Sequence, residues 1–146
     1  MSLVLDNSVA MLWLLPLSNP AGIGLAERVL AMLQKGGACV PSLWSLEASN
    51  VITKSQRLGK ITQAQASAFV SLLDALSIVI DINTAQHALH ATLDLARQFG
   101  LSSYDAAYLE LALRENLPLA TLDKQLQAAA REAGVELITG IDVERR

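Results

Sequence analysis

Cysteine is nearly absent: Cys39 is the only one in 146 residues. No disulfide can close within the chain and no cysteine-rich zinc site can form, which suits a reducing cytoplasm. Aromatic residues make up 4% and charged residues 17% of the chain, while just over half is hydrophobic. That balance excludes a disordered chain and favours alanine- and leucine-rich helices packed on a sizeable core. There is no excess of basic residues; the net charge is −3. A generally basic nucleic-acid coat protein is therefore excluded. Long apolar runs are missing too. The longest clean one, 9–15, is far short of the roughly 20 residues that span a bilayer. The apolar N-terminus has no basic leading region and no clear small-residue cleavage site, so it is not expected to be a signal peptide. Together these absences lead us to expect a soluble, cytoplasmic protein with no membrane association. No repeat, low-complexity tract or composition break marks a linker, so residues 1–146 are expected to form a single domain.

What is present is an alternation of short apolar runs and helical patterns. "LVLD" at 3–6, "ACV" at 38–40, "SIVID" at 77–81, "LPLAT" at 117–121 and "VELIT" at 135–139 read as strands. Between them the spacing predicts helices over 9–15 (capped by Ser8), 21–34, from Pro41–Ser42 to 58, from Thr62 to 76, from 83 or 84 to 99, from Ser102 or Ser103 to 115, and from Asp123 to 133. Several of these end at glycine: Gly36, Gly59, Gly100 and Gly134. Strands that are continuously apolar and separated by helices imply an α/β fold. The expectation is a three-layer α/β/α sandwich with a parallel sheet of about five strands. Sites in such folds lie beyond the carboxyl ends of the strands. Asp6 ends the first strand, and Thr121 and Asp123 follow the "LPLA" strand, so all three belong at one edge.

Three carboxylates interrupt apolar patterns: Asp6 in "LVLDNSVAMLWLL", Glu47 in "SLWSLEASNVI" and Asp105 in "LSSYDAAYLELAL". A bare carboxylate in such surroundings costs several kcal/mol, roughly, unless something pairs with it. On a helix, Asp105 shares a face with Tyr108, Leu109 and Ala112, and Glu47 with Leu43, Asn50 and Val51. Taken singly, each acid has a plain structural role available. Asp6 and Asp123 suit helix N-caps, Asp105 suits a helix start, and Glu47 suits an ion pair with Lys54 or an arginine. Taken together they point to a site. No histidine or cysteine lies near any of them, and converging carboxylates stay ionised only beside a cation. Hard oxygen ligands in this number suit Mg²⁺, with Mn²⁺ as a substitute. If four of the fourteen acids sit on metal, the rest of the molecule is slightly basic, so the acidic total does not exclude a nucleic-acid substrate.

Four segments, "VLDNSV", "PSLWSLEASNVI", "LSSYDAAYLELAL" and "LATLDKQLQAAA", resemble in order the acidic motifs of PIN domains, especially VapC-type toxin ribonucleases. The resemblance runs from about residue 3 to 139. It implies a parallel sheet in the order 3-2-1-4-5 and a catalytic, metal-binding quartet of Asp6, Glu47, Asp105 and Asp123, supported by Ser8 and Thr121. It further implies a Mg²⁺-dependent endoribonuclease, a homodimer and a cognate antitoxin. Two variants stand beside this reading: a solitary PIN nuclease of RNA processing or decay, and a PIN-like scaffold that binds RNA or protein without cutting. A haloacid-dehalogenase-like phosphatase would need a second aspartate where Ser8 stands.

Other features are weaker. Lys54, Arg57 and Lys60 near the end of the Glu47 helix read equally as RNA-phosphate contacts and as a solvated helix end. His87 and His90 are expected off an apolar line formed by Ala85, Leu89, Leu93 and Ala96. Trp13, Trp44, Met11 and Met32 read as core or interface. The segment "VAMLWLL" is apolar nearly all round, so it is either buried or part of a subunit interface.

Overall fold

The computed structural model describes residues 2–140. Four strands, β1 (Leu3–Leu5), β2 (Ala38–Val40), β3 (Ile78–Ile80) and β4 (Leu119–Ala120), form one sheet in the order β3-β2-β1-β4. All three pairings are parallel. Every residue of β1, β2 and β4 is buried. Successive strand residues face opposite sides, so full burial means that helices cover both faces of this part of the sheet. β3 is the edge strand, and Val79 and Ile80 remain partly exposed there.

The helices are α1 (Asn7–Ala10), α2 (Ile23–Lys35), α3 (Trp44–Arg57), α4 (Gln63–Ala75), α5 (Thr84–His87), α6 (Leu93–Phe99), α7 (Ser103–Glu115) and α8 (Lys124–Ala133). Several start where a side chain satisfies the free amides of the first turn. Thr62 and Gln65 form a reciprocal capping box on α4, Ser102 accepts from the Asp105 amide on α7, and Asp123 accepts from the Leu126 amide on α8. Gly100 and Gly134 end α6 and α8 in the left-handed region. α7 packs against β1 and β4 and buries a continuous stretch from Ala106 to Ala112. Among the described residues no helix is long and apolar enough to cross a membrane.

Three expectations change. The fifth strand, 135–139, is reduced to a single bridge between Leu137 and Leu119. β4 is only two residues long, and of the two only Leu119 forms the bridge. The Leu119 amide and carbonyl are taken by Glu136 O and Ile138 N. Beyond that the chain is drawn onto α2: Arg28 holds the Thr139 carbonyl, and Gly140 lies so close to Gly24 and Leu25 that a Cβ there would meet their backbone.

The helix expected to open at Ser8 begins at Asn7, lasts one turn and continues as a 3₁₀ turn, Met11–Trp13. Ser8 does not cap it. The apolar "VAMLWLL" segment is buried within the chain through Leu12, and Trp13 donates to Ala26 O. Met11 and Trp44 are buried, and Met32 packs against the core.

The third change is in the histidine segment. A π-helical turn, Ala88–Thr92, separates α5 from α6. Its extra residue rotates the inward face, so Ala85 and Leu89 are exposed while Thr92, Leu95, Ala96 and Phe99 face the core. His87 is half-buried and His90 exposed.

One buried charge cluster fastens the edge strand. Arg114 of α7 donates to both carboxylate oxygens of Asp81, just past β3, and to both oxygens of Glu110. The Thr84 hydroxyl also donates to Asp81, and it accepts from the Ser42 amide. Burial alone would raise the Asp81 pKa. Hydrogen bonds from Arg114, Thr84 and the Asn83 amide outweigh it and hold the carboxyl below its ordinary value.

Candidate functional site

β1 is internal in the order β3-β2-β1-β4: the chain builds outward from it through β2 to β3 on one side and returns to place β4 on the other. In open α/β sheets the crevice at such a switch point, beyond the strand carboxyl ends, is where ligands bind. The loops after β1 and β4 meet there. The Asp6 amide donates to Ala120 O, and the Leu122 amide donates to Ser8 Oγ. Asp6 leaves β1 on this shelf and is 7% exposed.

The N-cap role available to Asp6 is not what its side chain does, for its carboxylate makes no capping bond. Oδ2 instead accepts from Thr121 Oγ1 at 2.6 Å and from Ser8 Oγ at 2.7 Å. Thr121, 1% exposed, also accepts from the Asp123 amide. Among the described residues, nothing donates to Asp6 Oδ1. The two small hydroxyls thus fix the carboxylate while leaving one oxygen unused.

Glu47 enters from α3. Among the described residues it takes no part in an ion pair, and Lys54 is exposed. Its Oε1 accepts from Tyr108 Oη at 2.5 Å and from Asn7 Nδ2 at 3.3 Å, and among the described residues nothing donates to Oε2. The Asn7 amide is anchored by a second bond to Trp44 O. Both partners of Nδ2 are acceptors, so the orientation of this side chain is determined. Burial, then the Glu47 carboxylate, pushes the Tyr108 pKa far up, and the phenol stays a donor.

Asp105, half-buried in the first turn of α7, stands three residues before Tyr108 on the inward stripe. Asp123 does cap α8 through Oδ1, as its plain reading expects, and among the described residues nothing donates to Oδ2. The four acids converge electrostatically. Burial, then the charges of Glu47 and Asp123, raise the Asp6 pKa against the lowering hydroxyls of Thr121 and Ser8. Burial, then Asp123 and Asp6, raise that of Asp105.

Among the described residues, no three acidic, histidine or cysteine side chains close into a ready-made metal cage. Asp6 is repelled by Glu47 and Asp123, and Asp105 by Asp123 and Asp6, which works against their closing together without a cation between them. The donor chemistry nonetheless fits a hard divalent ion: every candidate donor is a carboxylate oxygen, and among the described residues at least three of the acids have one oxygen without a protein donor. Few protein oxygens leave coordination positions for water and substrate, which suits Mg²⁺ rather than a fully enclosed Ca²⁺.

Beside the acids, a groove of about 450 Å³ runs between the α1 segment and α3. Ser8, Met11, Leu12, Asn50, Lys54 and Lys60 are among the residues that line it. Arg57 is exposed but does not line this groove. Sequence reasoning missed Asn7 and Tyr108. Tyr108 carried one signal, its place one turn after Asp105 on the same stripe. Asn7 carried only its adjacency to Asp6.

The crystal structure of PAE2754 from Pyrobaculum aerophilum superposes with a TM-score of 0.66 at 23% identity, covering 94% of this chain and 84% of that one. At that identity the likeness speaks for the fold. No curated protein matches the chain. The PIN-domain family model matches residues 3–132, nearly the whole described chain, and the chain belongs to the PIN-domain family.

Proposed function

We propose that this protein is a Mg²⁺-dependent endoribonuclease that hydrolyses RNA phosphodiesters to 5′-phosphate and 3′-hydroxyl ends. PIN domains are generally nucleases. The observation that carries the reading here is the shared construction of the acids. Asp6, Glu47 and Asp123 each have one oxygen tied by protein donors and one left over, and Asp105 joins them in one electrostatic cluster. Asp6 and Asp105 would be the central metal ligands, with Glu47 and Asp123 completing the set. A divalent cation supplies Lewis acidity at the phosphate and an activated water at neutral pH. Ser8 and Thr121 orient Asp6, and Lys54 and Lys60 offer positive charge to the strand along the groove. The finer role, toxin of a toxin–antitoxin pair acting as a homodimer, rests on the resemblance of the four motifs to VapC-type toxins. A small antitoxin reading frame beside the gene, and growth arrest relieved by co-expressing it, would support that role.

The test is cleavage of a mixed structured RNA pool with Mg²⁺, with Mn²⁺ and with EDTA. Metal-dependent cuts bearing 5′-phosphates are expected. Cleavage that persists in EDTA, or a folded protein that cuts no RNA with either metal, would contradict the proposal.

The groove carries its own prediction. Replacing Lys54 and Lys60 together by alanine is expected to weaken RNA binding alike for all sequences. It should flatten the salt dependence of log Kd by roughly 0.7 per lysine, the single-strand value for one phosphate contact. Arg57→Ala is expected to leave that slope near wild type. Filter binding from 50 to 200 mM salt, roughly the range over which such contacts are read, checks both.

A further inference from the structure

Tyr108 is fully buried, yet it carries a hydroxyl. Phenylalanine would fill the same space without a polar group to satisfy. The hydroxyl is spent on one acceptor, Glu47 Oε1, at 2.5 Å across 61 residues of sequence. Asn7 donates to the same oxygen and is itself pinned by Trp44 O, in the first turn of the helix that carries Glu47. Glu47 is attached by a long side chain near the start of α3, and among the described residues no cationic side chain restrains it. Without these two donors both of its oxygens would be free to swing. The arrangement repeats that at Asp6, where two hydroxyls hold Oδ2.

We infer that Tyr108, assisted by Asn7, is the positioning residue that makes Glu47 a one-oxygen ligand of the metal site. The inference rests on the metal-nuclease reading above and adds to it a specific role for the α7–α3 contact. α7 then supplies both a ligand, Asp105, and the clamp on another helix's ligand. Partners that orient a ligand in this way typically carry about 10–100-fold of metal affinity.

The test is titration of the full chain with Mn²⁺ alone, followed by calorimetry, for wild type, Tyr108→Phe, Glu47→Gln and the double variant. Tyr108→Phe keeps the ring in the core and removes only the donor; its melting curve without metal reports whether packing has survived. We expect Tyr108→Phe to weaken Mn²⁺ binding by about 10–100-fold. In the Glu47→Gln background the same change should add nothing, because a clamp has no effect once its ligand is gone. A purely structural tyrosine would instead lower the melting temperature in both backgrounds by the same amount and leave Mn²⁺ affinity intact. Asn7→Ala, which removes the longer bond to the same oxygen, should give a smaller loss of affinity and serves if Tyr108→Phe fails to fold. Wild-type Mn²⁺ affinity in Tyr108→Phe, or fully additive losses in the double variant, would overturn the inference alone. Absence of saturable Mn²⁺ binding by the wild-type protein would overturn the metal reading and this inference together.

Discussion

Asp6→Asn is expected to lose RNA cleavage while keeping the fold. Asp6 is the most enclosed of the four acids, and its free oxygen lies where β1 and β4 end side by side. Asparagine can place its carbonyl oxygen where Oδ2 stands, so the bonds from Ser8 and Thr121 survive. Its amide then replaces the unused carboxylate oxygen and offers a cation a donor instead of an acceptor. Losing about 4 kcal/mol of transition-state stabilisation, within the several kcal/mol a metal site supplies, slows the reaction roughly a thousandfold. The fold should not suffer. Burial and the neighbouring charges of Glu47 and Asp123 disfavour the ionised form of Asp6, so its charge costs stability when no cation is present. The melting temperature of the metal-free variant is therefore expected to equal or exceed that of wild type. A thermal melt beside a single-turnover cleavage assay reads both. Near-wild-type cleavage by the folded variant would remove Asp6 from the site.

The second large effect is on stability and lies away from the acids. Arg114→Met is expected to destabilise the protein by about 3 kcal/mol, the lower end for breaking a buried pair because the Arg114 side chain retains some exposure. The change leaves Asp81, 7% exposed, and Glu110, 5% exposed, without their common cation. For a chain of this size that is a fall in melting temperature of roughly 6–12 °C. The pH dependence has a definite sign. In wild type, the Asp81 pKa is held below its ordinary 3.8. Its contribution is therefore complete above that value and is lost as pH falls through the lower folded value. In the variant only the Thr84 hydroxyl and the Asn83 amide still oppose burial at Asp81, so protonating Asp81 relieves its uncompensated charge and part of the lost stability is recovered as pH falls from neutral. The gap between the two proteins should narrow towards pH 4, about the ordinary aspartate range. Melting curves at neutral and acid pH test this. A gap that is absent at neutral pH, or that does not change with pH, would contradict it.

Much of the arrangement is legible in the chain because it is local. "LVL" and "ACV" are apolar without alternation, so they read as strands covered on both faces, and they are. Thr62 and Asp123 read as caps and do cap α4 and α8, and of the two candidates Ser102 and Ser103 it is Ser102 that caps α7. Asp6, Glu47 and Asp105 stand out because each interrupts an apolar stripe. What escaped depends on partners distant in sequence. Whether 135–139 makes a strand is decided by the two-residue length of β4, not by its own β-branched composition. Leu89 sits at helical spacing from Leu93, yet the π-turn between them turns it to solvent. The Tyr108–Glu47 bond and the Arg114–Asp81 pair join residues that share no periodicity, 61 and 33 positions apart. Asp81 reads from the sequence as the last residue of a strand, and only its arginine shows that it is a fastener. Lys54, Arg57 and Lys60 form a single basic cluster in the sequence, and the groove beside Ser8 separates Arg57 from the other two.

The most direct measurement is the position of Mn²⁺ itself. Crystals soaked in Mn²⁺ and measured near its absorption edge would show the ion as an anomalous peak. The account predicts a peak in contact with Asp6 and Asp105, within reach of Glu47 and Asp123, that disappears in Asp6→Asn. Four carboxylates left bare at saturating Mn²⁺, or an ion held elsewhere, such as beside His87 and His90, would contradict it.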